Sequence, residues 1–243
     1  GVITTVSPFN FPVMIPLVQA AMALACGNTV VAKPSEKVPS AFRLIAQIMH
    51  EAGLPAGVLN VVNGGREVVE AMMEHPRVAG LSFIGSTAVA KQLRIKGIEN
   101  GKRVQAFGSG KNHMIVLPDA DLDMAADAAV SAAYGAAGQR CMAISVLVAV
   151  GNIGDELVEK IATRIPHIKV GPTSDREVQL GPVISGDSQQ RIHGYINDAE
   201  HYGATLSVDG RLDDDSQGWL VGATLVDHVK PGMPVYDLSL IHI

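Results

Sequence analysis

The sequence predicts an α/β protein in which a parallel sheet carries helices on both faces. Short runs rich in β-branched and apolar residues, typical of buried strands, alternate with longer runs of helical periodicity. The alternation repeats about every 20 to 25 residues, with Gly, Pro and Asn between the runs. Strands and helices in strict alternation form βαβ crossovers, which place the strands parallel to one another.

In the first part of the chain the elements follow one another with short turns between them. The expected strands lie within 1–12 and at 29–33, 58–62, 79–84 and 103–107. The expected helices are 13–26, 39–52, 67–73 and 87–95. Because residues 13–26 are uniformly apolar, we expect that helix to be buried on most sides.

The second part of the chain continues the pattern from a new strand. The expected strands are 113–117, 144–150, 204–208 and 220–226, the last two flanking an acidic turn at Asp213, Asp214 and Asp215. The expected helices are 121–137, 155–165 and 187–202. Asp119 or Asp121 should lie at the start of the first of these helices, where a carboxylate suits the helix dipole.

Length and composition exclude several classes of protein. A chain of 243 residues with 47% apolar residues can form one large or two ordinary domains with a sizeable core. A net charge of −5 without a basic run argues against a nucleic-acid partner. The longest apolar stretch, 13–26, is too short to span a bilayer, so no membrane partner is expected. The chain opens without Met and reads as the middle of a sequence.

The two cysteines differ in their surroundings. They are far apart, which argues against a disulfide framework and suits a reducing compartment. Cys141 follows two glycines and stands next to Arg140. A thiol reacts as its thiolate, which a neighbouring cation stabilises, so Cys141 is a candidate nucleophile; the alternative is a small core residue. Cys26, in the apolar helix, is expected to be a packed thiol, and the histidines show no paired metal-ligand spacing.

Polar residues follow the predicted strands, where ligands of parallel sheets bind. Asn10 offers an amide, Lys33 and Glu36 a cation and a carboxylate three residues apart, and Ser86 the start of a helix. A carboxylate can hold ribose hydroxyls, and a helix N-terminus can meet a phosphate. These residues predict a nucleotide-type ligand, although Gly-x-Gly-x-x-Gly is absent. The alternative for Lys33 and Glu36 is an exposed ion pair.

Five motifs in order resemble the aldehyde dehydrogenase superfamily over nearly the whole chain. They are Pro8-Phe9-Asn10-Phe11-Pro12, Lys33-Pro34-Ser35-Glu36, Gly53-Leu54-Pro55, Phe83-Ile84-Gly85-Ser86-Thr87 and Gly138-Gln139-Arg140-Cys141. Gly110-Lys111-Asn112-His113 and Met142 add a resemblance to the CoA-acylating methylmalonate-semialdehyde branch. The resemblance implies a modified Rossmann coenzyme domain, which lacks the glycine fingerprint, and an α/β catalytic domain.

The resemblance also implies roles for individual residues. Cys141 attacks the aldehyde carbonyl, and the Asn10 amide and the Cys141 N–H stabilise the oxyanion. Hydride passes to NAD, leaving a thioester. Lys33 and Glu36 hold the adenosine ribose and Ser86 lies near the pyrophosphate. The cofactor groove is lined by Ser7, Phe9, Lys37 and Gly108.

Phe107 departs from the pattern of hydrolytic family members. Those enzymes carry a glutamate four residues before the lysine of Gly-Lys-Asn and 34 before the nucleophile, and both counts reach Phe107. Phenylalanine cannot accept a proton from water, so the thioester would last long enough for another nucleophile. The resemblance to the methylmalonate-semialdehyde branch, which also lacks this glutamate, implies that coenzyme A is that nucleophile. Alternatively, another residue activates water, or the chain is a non-catalytic relative.

Arg140 is a candidate ligand for a substrate carboxylate, as in a semialdehyde acid. The alternative is a structural arginine bonded to nearby carbonyls. The acid of the branch would lose carbon dioxide to give propionyl-CoA or acetyl-CoA, in valine or inositol catabolism.

The resemblance covers an incomplete version of both domains. The expected divisions are a NAD-binding domain at 1–108, a catalytic domain at 109–236 and a tail at 237–243 that matches nothing in the family pattern. Family members run to about twice this length, so we expect these residues to be inactive alone and to expose apolar surface. The parent protein is expected to be a homodimer or homotetramer, in the cytoplasm or, in a eukaryote, the mitochondrial matrix.

Overall fold

A computed structural model describes residues 1–212 and 218–237. The chain forms two compact units, Gly1–Ser109 and Gly110–Ile243. The division falls one residue beyond the expected domain boundary. The acidic turn predicted at Asp213–Asp215 and the tail beyond Asp237 lie outside the described residues.

Unit 1 is a five-stranded parallel sheet in the order β3-β2-β1-β4-β5. The strands are β1 Val2–Val6, β2 Thr29–Lys33, β3 Leu59–Val61, β4 Val78–Ile84 and β5 Arg103–Phe107. The helices are α1 Met14–Ala25, α2 Pro39–Glu51, α3 Arg66–Glu74 and α4 Thr87–Glu99. The alternation predicted from the sequence is thus present, with small shifts at the element ends.

The strand order of unit 1 places β1 at its centre. The chain moves from β1 outward through β2 to β3 and then returns to the other side of β1 as β4. Helices α1 and α2 pack on the cluster of Ala20, Val30 and Phe42, while α3 and α4 pack on the cluster of Met73 and Leu81. Both faces of the sheet are therefore covered.

Helix α1 differs from its prediction. Only a stripe of residues 15, 16, 19 and 20 is buried, whereas Met14, Val18 and Met22 are exposed. The expectation of burial on most sides is wrong because the sheet covers one side of the helix, and no other element in the described part of unit 1 buries the rest. Cys26 is also exposed, so the prediction that its thiol is packed is wrong too. It caps the helix end, where Gly27 turns the chain with φ +74°.

Unit 2 contains a parallel pair and an antiparallel pair of strands. The strands are β6 Asn112–Val116, β7 Ile144–Ala149, β8 Thr205–Val208 and β9 Leu225–Asp227. The helices are α5 Leu122–Tyr134, α6 Gly154–Arg164, α7 Gly186–Ala199 and α8 Pro234–Asp237, with 3₁₀ turns at Gly135–Gly138 and Ile165–His167. Val116, Ala126, Leu157, Ile161 and Leu180 form the centre of its core.

Several element ends in unit 2 follow from local bonding. Asp121 begins α5, since its carboxylate accepts hydrogen bonds from the backbone N–H groups of Asp123 and Met124 at 3.0 Å. The strand expected at 220–226 is wrong for most of its length. The N–H of Gly210 donates to the Thr224 hydroxyl at 3.0 Å instead of continuing the ladder. Across the described residues, no helix has both the length and the apolar character needed to cross a bilayer.

Candidate active site

The carboxyl ends of β1 and β4 form the topological switch of the unit 1 sheet. Connections run outward in opposite directions from these two neighbouring strands, and this leaves a crevice where ligands of parallel sheets bind. Ser7 directly follows β1, with Phe9 and Asn10 in the bend beyond it, and Ser86 follows β4. The predicted loops after the strands of this sheet therefore share one edge.

Lys33 ends β2 at this edge and is held on all sides. Its ammonium group donates to the carbonyl of Pro34 at 2.9 Å, the carbonyl of Gly64 at 3.0 Å and Glu36 Oε2 at 3.1 Å. An ammonium has three donors, so all three are used. Lys33 is buried, and the alternative of an exposed ion pair therefore applies only to its partner.

Glu36 is the accessible member of the pair, with 60% of its side chain exposed against 5% for Lys33. Partial burial raises the pKa of the Glu36 carboxyl, but its own backbone N–H, the Lys33 ammonium and Lys37 lower it by more, so the pKa lies below 4.5. The carboxylate is thus ionised and fixed in direction by a buried cation. Such a group can accept hydrogen bonds from sugar hydroxyls.

Ser86 precedes the first turn of α4 and makes no side-chain capping bond. The N–H groups of a helix's first turn lack partners within the helix and suit an anion. Gly108 lies against this turn, because a Cβ there would come within 2.7 Å of Thr87 Oγ1. The Ser109 N–H also donates to Thr87 Oγ1, at 3.1 Å. The end of β5 is thereby fixed beside the helix N-terminus.

Gln19 is a residue that the sequence reasoning missed. Its side chain is buried in α1, where Oε1 accepts from the Ser7 hydroxyl at 2.7 Å. Its Nε2 donates to the carbonyls of Val6 at 3.3 Å and Ser82 at 3.1 Å. The amide therefore joins the ends of β1 and β4. The Ser7 hydroxyl, predicted to line the cofactor groove, is buried in this network. The sequence contains one signal for this role, because Gln19 is the one polar side chain in the apolar run 13–26.

Lys37 and Phe9 were also predicted to line the cofactor groove. Lys37 is exposed, and its backbone N–H donates to Ser35 Oγ at 3.3 Å. Phe9 is half-buried.

Cys141 lies in unit 2, in a turn between the 3₁₀ segment and β7, with its side chain exposed. The Ala143 N–H donates to the Arg140 carbonyl at 3.1 Å and closes the turn. From the start of β6, Asn112 Nδ2 donates to the carbonyls of Cys141 and Ala143, each at 2.9 Å. The candidate nucleophile thus sits on a backbone with fixed peptide planes.

The chain before Cys141 is strained. Ala136 and Ala137 adopt φ of 55° and 54°, a left-handed conformation that costs a residue with a Cβ about 1 to 2 kcal/mol. Gln139 ties this segment down, since its Oε1 accepts from the Ile184 N–H at 3.0 Å and its Nε2 donates to the Ala136 carbonyl at 3.3 Å. Strain of this kind concentrates at functional sites. It also ends α5 at Tyr134, three residues before the predicted end.

Arg140 points back along α5. Its guanidinium packs over Gly135, where an added Cβ would force the arginine side chain to shift. It lines a groove of about 440 Å³ together with Asp127, Tyr134 and Arg164. Cys141 is absent from the described residues that line this groove. Arg140 thus lies beside α5 within unit 2, and both of its expected roles, carboxylate ligand and structural arginine, stay predictions.

Phe107 is the last residue of β5 and is 51% exposed. Its carbonyl accepts from the Gly85 N–H at 3.1 Å, which ties the ends of β4 and β5 together. The ring does not serve the core of unit 1. An apolar, exposed side chain therefore stands where hydrolytic relatives of this chain were expected to carry a carboxylate.

Comparison with known proteins tests the resemblance and the fold expected from it. The sequence pattern of the aldehyde dehydrogenase family matches residues 1–238. The chain is 49% identical over 238 residues to malonate-semialdehyde dehydrogenase 2 of Geobacillus thermodenitrificans, which covers 97% of this chain and 49% of that protein.

Solved structures show the same relationship. Methylmalonate-semialdehyde dehydrogenase of Oceanimonas doudoroffii is similar with a TM-score of 0.97 and 49% identity, over 99% of this chain and 50% of that one. A methylmalonate-semialdehyde dehydrogenase of Sinorhizobium meliloti, complexed with NAD, gives a TM-score of 0.97 and 45% identity over the same shares. The chain spans about half the length of the relatives it matches.

The resemblance read from the five motifs is confirmed, as is the fold expected from it, because pattern, sequence and structure all agree over nearly the whole chain. The chain belongs to the aldehyde dehydrogenase family.

Proposed function

We propose that the protein containing this chain is a NAD-dependent dehydrogenase that oxidises malonate or methylmalonate semialdehyde and transfers the acyl group to coenzyme A. The observation that carries the proposal is an exposed thiol, Cys141, on a turn held by side-chain hydrogen bonds. The relatives named for these semialdehydes, at 45 to 49% identity, support the substrate class.

Cys141 would act as the nucleophile. Its thiolate adds to the aldehyde carbonyl, a C–S bond forms, and the carbonyl π electrons move to oxygen as an oxyanion. The Cys141 N–H and, by the resemblance of its motif, the Asn10 amide would donate to this oxyanion. Removing one such donor costs about 3 to 4 kcal/mol of transition-state stabilisation in other enzymes.

The edge of the unit 1 sheet fits a dinucleotide. Glu36 presents a fixed carboxylate for ribose hydroxyls, the start of α4 presents N–H groups for a phosphate, and Gly108 keeps this region free of a side chain. The Glu36 carboxylate would repel a 2′-phosphate, which favours NAD over NADP. A bound nicotinamide supplies the hydride acceptor that turns the adduct into a thioester.

Phe107 would determine how the thioester is released. No carboxylate at this position can take a proton from water, so hydrolysis lacks its general base. A CoA thiolate then attacks the acyl carbon, the Cys141–acyl bond breaks, and Cys141 leaves as a thiolate. Carbon dioxide leaves from the β-carboxylate, its bonding electron pair stays on the α-carbon as an enolate, and that carbon takes up a proton from solvent to give acetyl-CoA or propionyl-CoA. We further propose roles in valine or inositol breakdown, in the cytoplasm or a mitochondrial matrix, as a homodimer or homotetramer.

Arg140 would bind the substrate carboxylate only after leaving its place over Gly135. Replacing it with Lys, which keeps the charge but not the paired donors, separates the two roles. A raised KM for semialdehyde acids but not for plain aldehydes supports carboxylate binding. An equal loss with both aldehydes indicates a structural role.

The experiment uses a protein of the relatives' length that carries these 243 residues. NADH is followed after mixing with methylmalonate semialdehyde, with and without CoA. The proposal predicts a single burst without CoA and continuous turnover with it. Equal turnover in both cases favours the hydrolytic alternative. A Cys141 thiol inert to iodoacetamide at neutral pH favours a non-catalytic relative.

A further inference from the structure

Asn112 is placed to control the conformation of the cysteine turn. It is the first residue of β6 and lies opposite Ile144, the first residue of β7. The ladder is irregular between Asn112 and His113. The turn that carries Cys141 enters β7 directly, so the Asn112 side chain faces the turn from the neighbouring strand.

The hydrogen bonds of Asn112 define its chemistry. Its Nδ2 donates at 2.9 Å to the carbonyl of Cys141 and at 2.9 Å to the carbonyl of Ala143. A side-chain amide nitrogen has two donors, and both are used here. Because both partners are acceptors, only the NH₂ end of the amide can face them. Neither an ionised carboxylate nor an apolar side chain of the same size can replace it.

Together with the hydrogen bond that closes the turn, these bonds hold the peptide units on both sides of Cys141. The Ala143 N–H holds the Arg140 carbonyl, which belongs to the same planar unit as the Cys141 N–H. Asn112 holds the next unit through the Cys141 carbonyl. With both planes fixed, the directions of the Cys141 Cα–Cβ bond and of its N–H are fixed as well.

We propose that Asn112 is a positioning residue for Cys141, and this inference rests on the proposed function. It does not contact the substrate. It holds the backbone so that the thiol and the N–H that would stabilise the oxyanion keep their relative direction. Misplaced donors lose most of their effect, because transition-state stabilisation depends on geometry.

The test compares three variants of a protein of the relatives' length that carries these 243 residues. Asn112→Ala removes the donors, and Asn112→Asp keeps the shape but replaces donors with a carboxylate. Asn60→Ala is the matched control, because Asn60 Nδ2 also donates to two carbonyls, those of Gly57 and Val30, but in unit 1. Cys26, also exposed and in unit 1, serves as an internal reference thiol.

The readout is how well propanal protects Cys141 from iodoacetamide, since an aldehyde adduct occupies the thiol. We expect both Asn112 variants to need at least about tenfold more propanal for equal protection, by analogy with a lost oxyanion donor. Asn60→Ala should match the wild type, and the alkylation of Cys26 should not change. The proposal is overturned if Asn112→Ala or Asn112→Asp needs no more propanal than the wild type for equal protection of Cys141.

Hydrogen exchange separates this inference from the proposed function. If propanal fails to protect Cys141 in the wild type, the nucleophile proposal fails, and the exchange rates of the Ala143 and Ile144 amides decide the role of Asn112 alone. Exchange at least about tenfold faster in both Asn112 variants, and not in Asn60→Ala, supports the positioning role. Equal exchange in all chains contradicts it.

Discussion

The Nζ atom of Lys33 lies 3.1 Å from Oε2 of Glu36, and the two side chains divide their work by exposure. Lys33 is buried and spends its other donors on the carbonyls of Pro34 and Gly64. Glu36 extends into solvent with its direction set by that cation. The buried member therefore joins the loops after β2 and β3, and the exposed member is available to a ligand.

Replacing Lys33 with Met should destabilise unit 1. The two carbonyls lose a charged donor, and a group left unsatisfied in this way costs about 1 to 3 kcal/mol. Glu36→Gln should cost less than 1 kcal/mol, because its side chain is largely exposed. Urea unfolding midpoints at constant m-value measure both changes. Equal costs would contradict the division of roles.

The lowered pKa of Glu36 predicts a pH dependence of stability. A carboxyl with a folded-state pKa below its unfolded value of about 4.5 stabilises the fold above that pH, and this stability is lost as the pH falls through the folded pKa. Glu36→Gln should therefore flatten the stability curve below about pH 4.5. Unfolding of both proteins between about pH 3 and 7 measures the effect. Parallel curves would show that the pKa of Glu36 is not lowered in the folded state.

Gln19→Leu should be among the more costly substitutions in unit 1. It removes the amide that joins Ser7 to the carbonyls of Val6 and Ser82 in a buried place. A loss of about 2 to 3 kcal/mol is expected from the unsatisfied groups. Gln47→Leu is the matched control, since among the described residues Gln47 bonds to the exposed Glu51, and its loss should change stability by about 0.5 kcal/mol or less. Similar midpoints for both variants would exclude a buried network.

Gly108→Ala should weaken dinucleotide binding. The new methyl group would lie 2.7 Å from Thr87 Oγ1 and 3.0 Å from Thr87 Cα, so β5 or the start of α4 must move. We expect the free energy of unfolding to fall by about 1 to 3 kcal/mol, as in other overpacked sites. NAD binding should weaken as well, because the shift displaces the N–H groups at the start of α4. Gly110→Ala has its nearest neighbour at 3.7 Å and serves as the control. NAD titration by fluorescence measures the binding, and equal affinities would show that this close approach is unimportant.

The parallel sheet of unit 1 followed from the sequence because buried strands and amphipathic helices leave a periodic pattern. The position of Lys33 and Glu36 at its edge followed from the strand that precedes them. The exposed side of α1 could not be predicted, because composition reports how apolar a helix is but not how much of it the sheet covers. Cys26 was misplaced for the same reason.

The hydrogen bonds that fix the candidate site were harder to predict from the sequence than the sheet. Gln19 bonds to Ser82, which is 63 residues away in sequence. Asn112 bonds to Ala143, which is 31 residues away. Nothing in the local sequence marks Ala136 and Ala137 as left-handed, since alanine favours the helix that was predicted there. Tertiary hydrogen bonds such as those of Gln139 impose that conformation.

The most direct measurement is the product formed by a protein of the relatives' length in which residue 107 is Phe or, by substitution, Glu. The native protein with methylmalonate semialdehyde and NAD should release acyl-CoA when CoA is present and almost no free acid when it is absent. Phe107→Glu should release free acid without CoA, because a carboxylate can then activate water. Free acid formed by the native protein at the same rate with and without CoA would contradict a Cys141 thioester that waits for a thiol.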